Sequence, residues 1–320
     1  MSDLIDADAP LALAPHGTNA IGRMLGLIGD EWNLLIIQQA LMGATRYSQF
    51  MARLPISNSV LTNRLRILVS DGMLTRREHA STRSRTEYLV TARSRSLWPA
   101  LLSIWEWERN WVAEHRSTLP SMHHHLCGQS FAPVLRCDSC HAPAEHCDVT
   151  LSLGPSGAWE RSAPAAATRR RSESDGGGRG AGMFPETMSV LGNRWAAALL
   201  LAAFLGSSRF TDFQSQLGAP PSLLAERLQT FCGIGVFATS PAERSGPERA
   251  AYLLTDKGRA FFPVLVAAVQ WAQWWFQAPE GPALLLHHRG CQAPFTGELA
   301  CDQCAQRLTG AHVGIATSAE

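Results

Sequence analysis

At 320 residues the chain is long enough for two domains of ordinary size, and its 28 basic against 27 acidic residues exclude a wholly basic coat, so any nucleic-acid-binding surface has to be local. Lys257 is the only lysine, and the arginine bias is read mainly as genomic base composition, although arginine also suits bidentate contacts. Asp3, Asp6 and Asp8 stand where a signal peptide would be positive, and the longest apolar run, Ala196 to Leu205, is too short to span a bilayer; a soluble cytoplasmic protein is expected, whose eight cysteines speak for metal or redox chemistry before structural disulfides.

Residues 1–16 read as a flexible N-terminus and 17–122 as the first domain. From Arg46 the pattern predicts a short helix, a turn at Leu54-Pro55-Ile56 and a second helix opening at Ser57, whose hydroxyl suits an N-cap. Gly72 supplies the left-handed residue that stops it. At 100° per residue Leu61, Leu65 and Leu68 share one face of this helix, and Ser59, Thr62, Asn63, Arg66 and Ser70 the other. That outer face carries donors and no acid, which suits a helix laid against phosphates and base edges. A strand starting at Met73, a polar tip with Arg76, Arg77, Arg83 and Arg85, and a return strand Thr86-Glu87-Tyr88-Leu89-Val90 complete a winged helix-turn-helix layout. The residues nominated for contact with double-stranded DNA are Arg46, Ser57, Asn58, Ser59, Thr62, Asn63, Arg64, Arg66, Arg76, Arg77, Arg83 and Arg85.

These residues resemble a known family. Ile28-Gly29-Asp30-Glu31-Trp32, Arg46-Tyr47-Ser48-Gln49-Phe50, Ile56-Ser57, Leu61 through Arg66, Asp71-Gly72-Met73 and Glu87-Tyr88-Leu89-Val90-Thr91 are similar, over about ninety residues in register, to the HxlR-type winged helix transcriptional regulators. The resemblance implies a bacterial DNA-binding dimer joined through its N-terminal helix and the helix after the wing, and some such proteins sense electrophiles or oxidants through a cysteine. The sequence departs from the pattern at the wing, where Ser81-Thr82-Arg83-Ser84-Arg85 replaces a proline pair.

The pattern occurs twice, at a spacing of 163 to 164 residues. Trp32 matches Trp195, Arg46 and Phe50 match Arg209 and Phe213, Arg64 matches Arg227, and Trp107 and Trp111 match Trp271 and Trp275. Cys127, Cys137 and Cys140 match Cys291, Cys301 and Cys304. The expected architecture is therefore mainly α with small β-wings: two winged domains in tandem (17–122 and 183–280), each followed by a Cys/His segment (123–150 and 281–313), with a Gly/Ala/Ser/Arg-rich disordered linker at 151–182 and a tail at 314–320. The arginines 169–171 in the linker are expected to be merely solvated.

Each winged unit ends in a tryptophan-rich helix. Leu97, Leu101, Ile104, Trp111 and Val112 form a stripe that Trp98, Leu102 and Trp105 widen, and Phe261 through Phe276 do the same, with Trp271, Trp274 and Trp275. Such width suits one side facing its own domain and another facing a second copy. The pairing is either between the repeats of one chain or in an isologous homodimer.

The repeats differ in charge. Residues 21–120 hold thirteen Arg against eight acids, whereas 183–280 hold six Arg and one Lys against seven acids. The second reading helix exposes Ser222, Ala225, Glu226 and Gln229, and its wing, 243–249, alternates in sign. Repeat 1 is expected to supply most of the DNA affinity.

Each repeat then carries H-H-x2-C-x9-C-x2-C. His124, Cys127, Cys137 and Cys140 in the first repeat, and His288, Cys291, Cys301 and Cys304 in the second, are expected to make a Cys3His set within each segment, suited to structural Zn2+. A redox pair of Cys137 with Cys140 is the other chemistry open to these residues. Cys147 is unmatched, and Cys232 reads as a core residue. No catalytic constellation stands out. The sequence reads as a DNA-binding transcriptional regulator, more in the manner of a repressor, with a protein-interaction pseudo-dimer as the competing class.

Overall fold

The computed structural model describes residues 9–78, 86–162, 184–240 and 250–315. Repeat 1 runs β1 (Leu11–Ala12), α1 (Ala20–Leu27), α2 (Glu31–Leu41), α3 (Tyr47–Arg53), α4 (Asn58–Ser70), β2 (Leu74–Glu78), β3 (Thr86–Val90), α5 (Ala92–Arg95) and α6 (Trp98–Trp111). Its Cys/His segment is β4 (Met122–His124), β5 (Gln129–Phe131), β6 (Pro133–Cys137) and β7 (Val149–Leu153), followed by α7 (Trp159–Ser162). Repeat 2 runs α8 (Pro185–Leu191), α9 (Arg194–Phe204), α10 (Phe210–Leu217), α11 (Pro221–Gly233), β8 (Phe237–Ser240), β9 (Ala251–Leu254), α12 (Asp256–Arg259) and α13 (Phe262–Trp275), then β10 (Phe276–Gln277), β11 (Leu284–His288), β12 (Gly297–Cys301) and β13 (Val313–Ile315).

Local chemistry accounts for the boundaries. Asp30 caps α2 by accepting from the Asn33 amide at 3.1 Å, and Asn193, its counterpart, caps α9 through the Trp195 amide at 2.8 Å. Ser57 Oγ accepts from the Val60 amide at 3.4 Å to open α4, and Gly72, at φ 66°, lets the chain turn from α4 into β2. Leu61, Leu65 and Leu68 are all buried, so α4 docks on the side that its periodicity marks as apolar. β2 and β3 pair antiparallel, Leu74 opposite Val90 and Arg77 opposite Glu87.

The two repeats pack on one another within the chain. α6 lies against α13 and α8, and α1 against α13. Pseudo-equivalent indoles bond across the boundary: Trp107 Nε1 donates to the Lys257 carbonyl at 2.9 Å and Trp271 Nε1 to the Arg93 carbonyl at 2.8 Å. Trp107 also meets Phe261 edge to face at 5.0 Å between centroids. Of the tryptophans expected in this seam, Trp274 and Trp111 depart: both are exposed, Trp274 to 64%.

The Cys/His segments are exchanged. β6 pairs antiparallel with β12 about Leu135 opposite Leu299, residues that occupy the same place in the two repeats. β4 pairs with β13 as well as with β5, and β7 pairs with β11. Each segment thus completes a sheet of the other repeat. This corrects two expectations. Residues 151–153 and 159–162 are ordered inside the stretch read as linker from 151, since β7 gains a ladder partner far along the chain, from His288 opposite Val149 to Leu284 opposite Leu153. Residues 11–12 of the supposed flexible N-terminus pair in parallel with β10. The remainder of that linker, 163–182, and the wing residues Arg83, Arg85 and 243–249 lie outside the described residues.

Candidate nucleic-acid interface and metal centres

α3, the turn after it and α4 present one polar face. Ser57, Asn58, Ser59, Thr62, Asn63 and Arg66 are exposed on it, and Arg76 and Arg77 of β2 are exposed on the wing. Within this face Arg66 Nη2 donates to Asn63 Oδ1 at 2.9 Å, which holds the guanidinium against the helix. Arg76 pairs with Glu78 at 2.7 Å and Arg77 with Glu87 at 3.0 Å; both guanidinium groups are more than half exposed, so solvent competes strongly for these pairs. Arg46, at the N-cap of α3, lies 3.8 Å from Glu87.

Arg64 corrects the expectation. It is turned from the polar face toward the start of α2, where it pairs with Asp30 at 2.7 Å and only a quarter of its side chain is exposed. At position 64 the helical angle carries the side chain to the edge of the buried stripe, beside Leu68, where the Asp30 carboxylate meets it. Tyr47 was not singled out in the sequence. Its hydroxyl donates to the Asn58 carbonyl at 3.0 Å and lies 3.4 Å from Thr62 Oγ1, so the phenol borders the polar face of α4. An aromatic that is half core by pattern carries no signal of where its hydroxyl emerges.

The matching face of repeat 2 differs in kind. Ser222, Ala225, Glu226 and Gln229 are exposed on α11. Arg227, the counterpart of Arg64, pairs with Glu226 at 3.1 Å, since Asn193 offers no charge where repeat 1 has Asp30. A carboxylate on the face that would approach phosphates opposes binding.

The eight nominated metal ligands gather in two sets, each drawn from both repeats. His124 and Cys127 of repeat 1 meet Cys301 and Cys304 of repeat 2, and Cys137 and Cys140 meet His288 and Cys291; within each set the donor atoms lie within 4.8 Å of one another. The expected grouping inside one segment is therefore corrected, and the cause is the strand exchange. β6 and β12 each end at the first cysteine of a C-x2-C turn, and their antiparallel pairing carries each turn to the other repeat's His and Cys.

The spacing fits an ion. Cys127 Sγ lies 3.9 Å from Cys301 Sγ, and Cys137 Sγ 3.9 Å from Cys291 Sγ. His124 Nδ1 lies 3.3 Å from Cys127 Sγ and 3.4 Å from Cys304 Sγ; His288 Nδ1 lies 3.2 Å from Cys291 Sγ and 3.4 Å from Cys140 Sγ. A tetrahedral Zn2+ with Zn–S bonds of about 2.3 Å places its sulfurs roughly 3.8 Å apart, so these are the edges of a tetrahedron. His124 is fully buried, and burial, followed by the nearby His312, His125 and His123, lowers its pKa, favouring the neutral imidazole that a metal requires. Burial works against ionisation of Cys137, but the amides of Cys140 and Ser139 and the neighbouring thiols outweigh it and hold Cys137 below the ordinary thiol range. The Gln306 amide leads the influences that lower Cys304. Cys147 is exposed and apart from both sets; Cys232 is half-buried in α11, where burial raises its thiol pKa.

A family model described as HxlR-like helix-turn-helix matches residues 27–116 and 190–280, more than half of the chain. An uncharacterized HTH-type transcriptional regulator of Mycobacterium tuberculosis is 34% identical over 126 residues, 39% of this chain and 79% of that protein. Regulators of the same description are 33% identical over 91 residues in Bacillus subtilis, covering 28% of this chain and 84% of the relative, and 30% identical over 95 residues in Synechocystis, covering 29% and 70%. Among the described residues no helix is long and apolar enough to cross a membrane.

Proposed function

The chain belongs to the HxlR-like helix-turn-helix family, and from that premise we propose a sequence-specific DNA-binding transcriptional repressor in which repeat 1 is the main reader and two structural Zn2+ ions tie the repeats together. Its relatives are described as transcriptional regulators, which points away from an enzyme. The observation that carries the reading is the exposed, acid-free face of α4 with Asn63 and Arg66, flanked by Arg76 and Arg77. α4 would enter the major groove, where Arg and Asn read base edges bidentately, while β2 and the wing follow the backbone. Affinity of this kind rests on displaced counterions and falls steeply with salt. Repression is the outcome proposed for a compact reader seated on a promoter.

The residues proposed to hold zinc are His124, Cys127, Cys301 and Cys304 for one ion, and Cys137, Cys140, His288 and Cys291 for the other. A bound Zn2+ would supply a rigid cross-link and no open coordination position, as a Cys3His structural site does. Gel retardation of fragments of the organism's own genome tests the reading. Specific retention that weakens with salt and falls in the Arg66→Ala protein is the expected result; no retention of any fragment would return the chain to the class of interaction modules.

A further inference from the structure

The boundary between the repeats is built from equivalent elements, yet not all of its buried contacts are matched. Glu108, on α6, is fully buried. Its Oε1 accepts from the Thr187 amide at 2.9 Å and from Thr187 Oγ1 at 2.6 Å, and its Oε2 lies 2.7 Å from His115 Nδ1. Thr187 is in the first turn of α8, where amides lack partners within the helix, and no side chain of α8's own N-cap serves it. Glu108 therefore caps, from repeat 1, a helix of repeat 2. The duplicated positions carry neither partner: Ala272 stands where repeat 1 has Glu108, and Met24 where repeat 2 has Thr187. α1 is capped by its own Asn19.

A second asymmetry lies on the pseudo-twofold itself. Asp30 and Asn193, equivalent residues, face each other in an antiparallel bridge, with the Glu31 amide donating to the Gly192 carbonyl at 3.1 Å. Were repeat 1 to pair with another repeat 1, Asp30 would face Asp30, two carboxylates each keeping only its own Arg64 as counter-charge, where Asn193 now presents none. Glu108 would at the same time face the thioether of Met24, leaving a buried carboxylate without the amide and hydroxyl that hold it.

We infer that Glu108–Thr187 and Asp30–Asn193 form a pairing lock that commits repeat 1 to repeat 2 and rejects repeat 1 against repeat 1. Because both partners are on one chain, their effective concentration is far above that of free protein and the lock closes within a single chain. The assembled unit is one chain with two unlike readers. Resting on the DNA-binding reading above, its operator is a duplex with one strong half-site and no twofold symmetry, in place of the palindrome that an isologous dimer selects.

The test uses the full-length chain in four forms: wild type, Thr187→Met, Glu108→Leu and the double variant. Thr187→Met is expected to lower the unfolding midpoint by ~5 °C or more, and the same substitution in the Glu108→Leu background by less than half as much. Additive shifts would overturn the lock, since a merely space-filling threonine has no reason to depend on residue 108. Light scattering at tens of micromolar is expected to give the mass of one chain for the wild type; a stable two-chain species would overturn the closed unit. Footprinting is expected to show one chain protecting an asymmetric site, and a palindromic footprint filled by two chains would count against the inference. Absence of any footprint would sink the DNA-binding reading alone, and the melts and masses would still decide the pairing.

Discussion

Two arginines two residues apart on α4, and so about 200° apart around the helix, do opposite work. Arg66 is exposed beside Asn63, whereas Arg64 is drawn inward by Asp30. Arg66→Ala is expected to weaken specific DNA binding about tenfold and to relax base preference at one position. Arg64→Ala is expected instead to cost roughly 1 kcal/mol of stability, the worth of a partly buried ion pair, while the slope of log affinity against log salt is unchanged. Paired gel-shift titrations and denaturant melts separate the two; a loss of salt slope in Arg64→Ala would contradict the assignment. Glu280 offers a test by pH. Its carboxylate accepts from the His16 amide at 2.8 Å and pairs with Arg161 at 3.3 Å, and these contacts, the amide first, lower its pKa. A lowered folded-state pKa contributes stability that is present above the ordinary glutamate range and is lost as pH falls through the folded value. The midpoint difference between wild type and Glu280→Gln should therefore be largest near neutrality and close as pH falls below the ordinary range; a difference that persists at pH 3 would show that charge is not its source.

At the scale of elements, the strand exchange makes metal content a report on topology. Cys127→Ser with Cys301→Ser touches one proposed site and should leave one ion per chain by elemental analysis. Cys127→Ser with Cys137→Ser touches both and should leave none. A grouping inside one segment would give a different result for each pair, so the two variants decide it. Chelation should lower the unfolding midpoint and loosen β4, β6, β11 and β12 together, because each proposed ion would join residues of both repeats. Hydrogen exchange confined to one segment would contradict that. Part of this arrangement was open to reading in the sequence and part was not. The donor residues stood out, since cysteine and histidine at fixed spacing have few other uses. Their grouping did not, because both groupings satisfy the same spacing. The choice is made by Leu135 and Leu299, unremarkable apolar residues whose strands pair across the pseudo-twofold.

For the whole molecule, charge is divided between the halves while the scaffold is shared. Removing the polar face of repeat 1, Asn63→Ala with Arg66→Ala, should reduce affinity at least tenfold more than Ser222→Ala with Gln229→Ala on repeat 2. Equal losses in filter-binding titrations would mean that the exposed Glu226 of α11 does not weaken the second reader. The seam that fixes the distance between these faces is built from Trp107, Trp271 and Trp275, each indole nitrogen satisfied across the boundary. The polar faces of α4 and α11 are thus held at one separation by burial.

From the sequence alone came the duplication, the two winged units, the helix proposed to read DNA and the residues with metal-binding chemistry. All of these follow from local rules: side-chain period on a helix, capping geometry and donor type. What tertiary structure decided was which repeat each strand completes, which cysteines and histidines gather in one set, that Arg64 turns inward and that Glu108 caps a helix of the opposite repeat. These depend on residues more than a hundred positions apart meeting in space, and no periodicity within a segment encodes which of two equivalent partners it will meet.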